Sequence, residues 1–133
     1  MRRSCLALML LVGIGGQAFA ADPKGNWLVA DKKAVIRIEP CGPALCGTIA
    51  STQFEGRDEN NPDPSKRNRS IVGIQILLGL TQTAENRWDG EIYNPENGKT
   101  YTGRIILNSA NDLRIEGCVL GFLCGGGNWT RTK

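Results

Sequence analysis

From residue 25 onward, apolar and polar side chains alternate in short runs separated by Gly, Pro and Asn, the pattern of strands that bury one face. Ala34, Ile36 and Ile38 share a face against Val35, Arg37 and Glu39. Trp88, Gly90 and Ile92 oppose Arg87, Asp89 and Glu91 in the same way. Tyr101, Gly103, Ile105 and Leu107 oppose Thr102, Arg104 and Ile106, and Leu113, Ile115 and Gly117 oppose Arg114, Glu116 and Cys118. Weaker alternation over 25–30, 46–52 and 128–132 adds three strands. The stretch 71–80 fits two periods, because Ile71, Ile74 and Leu78 suit a helix while Val72, Ile74, Ile76, Leu78 and Leu80 suit a strand. Read as a strand, it is the eighth. Eight short strands joined by tight turns predict an all-β antiparallel domain, either an up-and-down barrel or a sandwich.

The turns carry their own chemistry. Asn97-Gly98 lies between two alternating runs, and both residues tolerate positive φ, so a hairpin is expected there. Asn111-Asp112 marks the next turn. Residues 54–70 break the rhythm: Glu55, Asp58, Glu59 and Asp63 come first, then Lys66, Arg67 and Arg69. Pro62 and Pro64 stiffen the segment around Asp63, which favours a shaped loop. It reads as a binding rim or lid, or as a solvated connector whose opposite charges attract.

Composition changes the picture at the amino terminus. Arg2 and Arg3 precede an apolar run from Leu6 to Gly16, and Ala18-Phe19-Ala20 supplies the small residues of a cleavage site. Residues 1–20 are expected to be a signal peptide, leaving 21–133 as one exported domain bound for the periplasm. The apolar run is too short for a membrane span, and no later segment is long enough. Without the leader, 14 basic residues face 13 acidic ones, which argues against a nucleic-acid footprint. Cys41, Cys46, Cys118 and Cys124 remain, an even number suited to an oxidising compartment, with three possible pairings. Loop-closure entropy favours a long link such as Cys41 with Cys124. Strand, turn and returning strand bring the sulfurs together locally, and Cys41–Cys46 with Cys118–Cys124 is the expected pairing.

The same inventory removes most catalytic chemistry. The sequence has no histidine, and both methionines precede residue 21. Imidazole acid/base catalysis, Ser-His-Asp triads and imidazole or thioether metal sites are therefore excluded. A carboxylate pair, Asp58 or Glu59 with Asp63, is usually solvated on such a loop. Asp58, Asn60 and Asp63 offer hard oxygens, but the segment lacks the Gly and terminal Glu of a calcium loop. No cofactor, metal or catalytic residue is expected, and binding is the chemistry left. Gly90, Gly103 and Gly117, on the inner face of three successive strands, either permit a barrel bend or leave space inside. An eight-stranded barrel is wide enough to be filled by its own side chains or to hold one small ligand.

Several motifs resemble a known family. Gly25-Asn26-Trp27 looks like the opening GxW of lipocalin-like barrels, and Trp129-Thr130-Arg131 looks like the matching last strand. Between them, Asn61-Pro62-Asp63-Pro64, then 72–77, Trp88-Asp89-Gly90 and the long run 92–101 resemble the bacterial domain of unknown function 2147. The resemblance implies a lipocalin-like or streptavidin-like barrel and no established activity. Gly125 to Gly127 after the last cysteine lengthen the final connection relative to that family. If the first and last strands close a barrel, Trp27 lies against the guanidinium of Arg131 as a structural cation–π pair. Trp129 shares the face of Arg131 and points to the core. The leading expectation is a non-enzymatic carrier of a small apolar or amphipathic ligand, with Trp88, Tyr93, Tyr101 and Ile105 near the cavity and the Asp63 loop at its rim. The alternative is an envelope interaction or inhibitor module that uses 54–70 as its contact surface, and a small hydrolase is the third reading.

Overall fold

The structure, a computed structural model, describes residues 22–120 and 122–133. The expected leader lies outside them. Eight strands follow in order: β1 (Gly25–Leu28), β2 (Ala34–Cys41), β3 (Ala44–Thr52), β4 (Gln75–Ala84), β5 (Arg87–Asn94), β6 (Lys99–Ser109), β7 (Asp112–Val119) and β8 (Leu123–Thr132). Each pairs antiparallel with the next, and β1 pairs with β8, so the barrel is closed and has no free edge. The up-and-down barrel, and not the sandwich, is the solution this sequence adopts. Among the described residues, no helix is long and apolar enough to cross a membrane.

Alternation decides most of the register. Ile36 faces Ile49, Trp88 faces Ile105, and Leu107 faces Leu113, each pair buried on the inner side. The exception is β4, which starts four residues later than the alternation suggested and runs on to Ala84. Its register slips around Gly47 and again between Leu78 and Thr81. Consecutive Ile76 and Leu77 are consequently both buried, and Leu80 is buried after an irregular Gly79 at φ 58°. These register shifts explain why neither a period of two nor a helical period described 71–80 cleanly. Val72 stays exposed in the approach to the strand.

The final strand also departs from expectation. It begins at Leu123, not Asn128, and the three glycines pair with Ile115, Glu116 and Gly117. Glycine disfavours strands, but Cys118 and Cys124 stand opposite each other and are bonded, which holds the register through the glycines. The second disulfide, Cys41–Cys46, spans the β2–β3 turn. Each closes a short loop and contributes about 2 kcal/mol by loop entropy. Two such bonds point to an extracytoplasmic protein.

Candidate ligand-binding cavity

The barrel is packed at one end and open at the other. The packed half holds Trp27, Ile38, Leu80, Trp88, Ile105, Leu107 and Leu113, all buried. The open end collects the β1–β2, β3–β4, β5–β6 and β7–β8 connections, as up-and-down order requires. There a cavity of about 810 Å³ opens among Ile36, Ile49, Ile76, Ile92, Ile115 and Trp129, with Tyr101 and the backbone of Gly125–127 completing the wall. Phe54, Arg57 and Asn60 stand among its lining residues on the loop side. All six exposed large apolar side chains of the described residues, Phe54, Val72, Val119, Leu120, Phe122 and Leu123, belong to connections or strand ends at this end.

The inner-face glycines divide the two halves. Gly90, Gly103, Gly117 and Gly125 face one another in a single row across β5 to β8. A Cβ on Gly90 would meet Leu80 at 2.8 Å, and one on Gly103 would meet Ile92 at 2.2 Å, so neighbours already fill those spaces. On Gly117 the nearest atom is the Tyr101 Cβ at 3.6 Å, an ordinary contact, and on Gly125 nothing lies within 4 Å. The row runs from packed core into open lumen.

The β3–β4 connection is held against the barrel by a buried carboxylate. Asp58 is 0% exposed. It accepts hydrogen bonds from the Tyr93 hydroxyl, from Asn61 Nδ2 at 2.8 Å and from Arg69 Nε at 2.9 Å, and Arg69 Nη2 lies 2.9 Å from the same oxygen as Nε. Asn61 also accepts from the Asp63 N–H at 2.8 Å through its side chain and from Arg67 Nε at 2.8 Å through its carbonyl. Nearby, Asn60 Nδ2 donates to the Glu96 carbonyl at 2.8 Å. The Asn60 backbone passes so close to Gly98 that a Cβ there would lie 1.7 Å from its carbonyl oxygen, which, with φ 71°, requires glycine in the Asn97-Gly98 turn. Burial pushes the Asp58 carboxyl up, but the donors from Tyr93, Asn61 and Arg69 outweigh it and hold the group below its ordinary value. Burial, then the bond and charge of Asp58, push the Tyr93 hydroxyl up to about 12.

These directions set the pH response. Asp89 is lowered chiefly by its hydrogen bond from Arg87, and Glu116 by those from Arg114 and Arg104. A carboxyl depressed in the folded state gives stability that is complete above its unfolded value and lost as pH falls through the folded one. A raised tyrosine gives stability that is complete below about pH 10 and lost towards 12. With no histidine in the chain, urea midpoints are expected to stay flat from about pH 5 to about pH 9 and to fall on both sides. Tyr93→Phe should weaken the alkaline fall.

The expected site residues separate. Tyr93 and Tyr101 line the cavity, the latter with its hydroxyl accepting from Asn97 Nδ2 at 2.7 Å. Trp88 and Ile105 face each other in the packed half and are not among its lining residues. Asp63 is exposed and caps the 3-10 turn at Pro64–Lys66, accepting from the Ser65 N–H at 3.0 Å and the Ser65 hydroxyl at 2.7 Å. Asp58 accepts from Tyr93, Asn60 donates to the Glu96 carbonyl and Asp63 accepts from Ser65, so each side chain is engaged with a different partner. Trp27 and Arg131 pair across β1 and β8 at the packed end, with the guanidinium 4.4 Å from the ring centroid. Sequence reasoning offers Asp58 only as one of several solvated carboxylates and not as a buried anchor, and it does not point to the isoleucine lining. Inner-face alternation carried a signal for Ile36 and Ile115, whereas nothing local distinguished Asp58 from its acidic neighbours.

A closed antiparallel up-and-down barrel, packed at one end and hollow at the other, has the architecture of the lipocalin-like barrels. The chain is a member of the family described as an uncharacterized protein conserved in bacteria (DUF2147), whose model matches residues 25–131. It is similar in structure to protein HP1028 from the human pathogen Helicobacter pylori, described as belonging to the lipocalin family, with a TM-score of 0.76 and 24% identity. That likeness covers 85% of this chain and 84% of the other, and it establishes the shared fold. No curated protein matches the chain.

Proposed function

We propose that this protein is an exported, non-enzymatic carrier that holds one small apolar or amphipathic molecule in the open half of its barrel. The observation that carries the reading is the cavity of about 810 Å³ with its isoleucine wall, within the size range of small-molecule sites. Apolar side chains at the mouth support it, because large exposed apolar patches mark binding surfaces. The basic, apolar start of the chain and its two disulfides support a periplasmic destination. The interaction-module reading has less support, since Asp58 and Asn60 hold the 54–70 loop against the barrel instead of letting it project.

Native mass spectrometry of the protein purified from its own periplasm should show a single adduct in the small-molecule range. Gly117→Phe places a ring in the open lumen, where a Cβ meets only ordinary contact. That variant should keep its thermal midpoint within a few degrees, lose the adduct and bind an apolar fluorescent probe at least tenfold more weakly. A wild type with no adduct, or a Gly117→Phe protein that binds the probe unchanged, would remove the carrier reading.

A further inference from the structure

A second concavity, of about 760 Å³, lies outside the lumen, between the 61–75 segment and strands β5 and β6. Its polar lining is unlike that of the barrel cavity. Asn61, Lys66, Arg69, Ser70, Gln75 and Thr100 are its polar lining residues, and no carboxylate stands among them. The cations are differently secured. Arg69 is fixed from behind by Asp58, through Nε and Nη2, while its side chain remains 40% exposed. Its Nη1 has no hydrogen-bond partner among the described residues, and neither does Lys66 Nζ, which also forms no ion pair there. The Ser70 hydroxyl accepts from the Val72 N–H at 3.2 Å and keeps its own proton to donate. Asp58 is spent behind the wall on Arg69, Asn61 and Tyr93, and Asp63 is occupied by Ser65; neither is among the lining residues. Pro62, Val72 and Leu78 add an apolar side to the same groove.

A concavity rich in donors and positive charge, with its one carboxylate buried behind an arginine, is the chemical complement of an oxyanion. We propose that this outer groove is a second binding site, separate from the barrel lumen, for an oxyanion group carried on a small apolar body, with Lys66 and Arg69 as its charge partners. Asp58 is then a positioning residue for Arg69: its two contacts orient the guanidinium and leave one edge for the ligand. The anion is a carboxylate or a phosphate, since both present oxygens in the geometry a guanidinium edge fits.

The test is a titration of the isotope-labelled mature protein, followed by amide chemical shifts, with inorganic phosphate, N-acetyl-leucine and N-acetyl-leucine amide as probes. Saturable shifts confined to 61–75 and the start of β6 are expected. N-acetyl-leucine acting without phosphate identifies a carboxylate on an apolar body, phosphate acting alone identifies a phosphate ligand, and the amide should do neither. Lys66→Gln, at an exposed position, should keep the wild-type spectrum elsewhere and weaken binding at least fivefold. Arg69→Lys should weaken it with Lys66 intact. An apolar probe in the barrel should not compete, which keeps this site independent of the carrier reading. Shifts scattered over the whole surface, equal binding of the amide, no saturation by any probe, or unchanged affinity in Lys66→Gln would each overturn the proposal.

Discussion

Asp58→Ala is expected to lower unfolding free energy by about 2 to 4 kcal/mol, since each buried donor left without an acceptor costs about 1 to 3 kcal/mol. The substitution leaves the Tyr93 hydroxyl, the Asn61 amide and two Arg69 nitrogens without their shared acceptor. The Tyr93 hydroxyl and the Asn61 amide are buried and bear most of the cost, whereas Arg69, 40% exposed, can turn to water. Loosening should be local first. Amides that close the loop, Asp58 to the Arg69 carbonyl and Ile71 to the Gly56 carbonyl, should exchange faster than those of β6 and β7. Asp58→Asn keeps the shape but sets an amide NH2 among donors, and it should recover only part of the loss. Asp63→Ala removes an exposed cap and should be far milder. Denaturant unfolding of the three variants decides the matter: equal losses at Asp58 and Asp63 would show that the buried carboxylate is not what anchors the loop.

The contrast between those two aspartates measures how far the sequence could be read. Strand identity was legible because it depends on a local pattern, and Ile36, Ile38, Leu113 and Ile115 are buried as alternation requires. The local cysteine pairs were legible for a similar reason, since a hairpin fixes which sulfurs meet. What alternation does not encode is depth along the barrel axis. Trp88 and Tyr101 lie on the same predicted inner face, yet one sits in the packed half and the other lines the cavity. The loop was harder still. Four acids within nine residues look alike in sequence, and only the return of the chain beneath Tyr93 and beside Arg69 buries Asp58 and leaves Asp63 in water. Bulges at Gly47 and Gly79 shifted β4 for a reason that also lies in pairing partners far along the chain.

Arg131→Ala is the second large loss expected, about 3 kcal/mol, and it acts at the opposite end of the barrel. The guanidinium combines a cation–π contact with Trp27, in a class worth about 0.5 to 2 kcal/mol, with three backbone carbonyls. Nε donates to Ala110 at 2.7 Å, Nη1 to Lys24 at 2.7 Å and Nη2 to Asp22 at 2.7 Å. One side chain thus ties the segment before β1, the β6–β7 turn and the last strand over a fully buried indole, whose own N–H donates to Pro23 at 2.8 Å. The opening Gly25-x-Trp27 motif follows from this packing: a Cβ on Gly25 would lie 2.7 Å from Arg131 Nη1, at a φ of +130° that side chains rarely adopt. Arg131→Lys should recover less than half the loss, because an ammonium is a point donor and cannot span three divergent carbonyls. Trp27→Phe combined with Arg131→Ala should lose less than the sum of the single changes, by about 1 kcal/mol, if ring and cation are coupled. Probe affinity in the lumen should stay within twofold in the folded Arg131→Ala protein, because the cavity opens at the other end. A strictly additive double mutant would show that Arg131 acts through its carbonyl bonds alone, and a large loss of probe binding would mean that the two ends of the barrel are not independent.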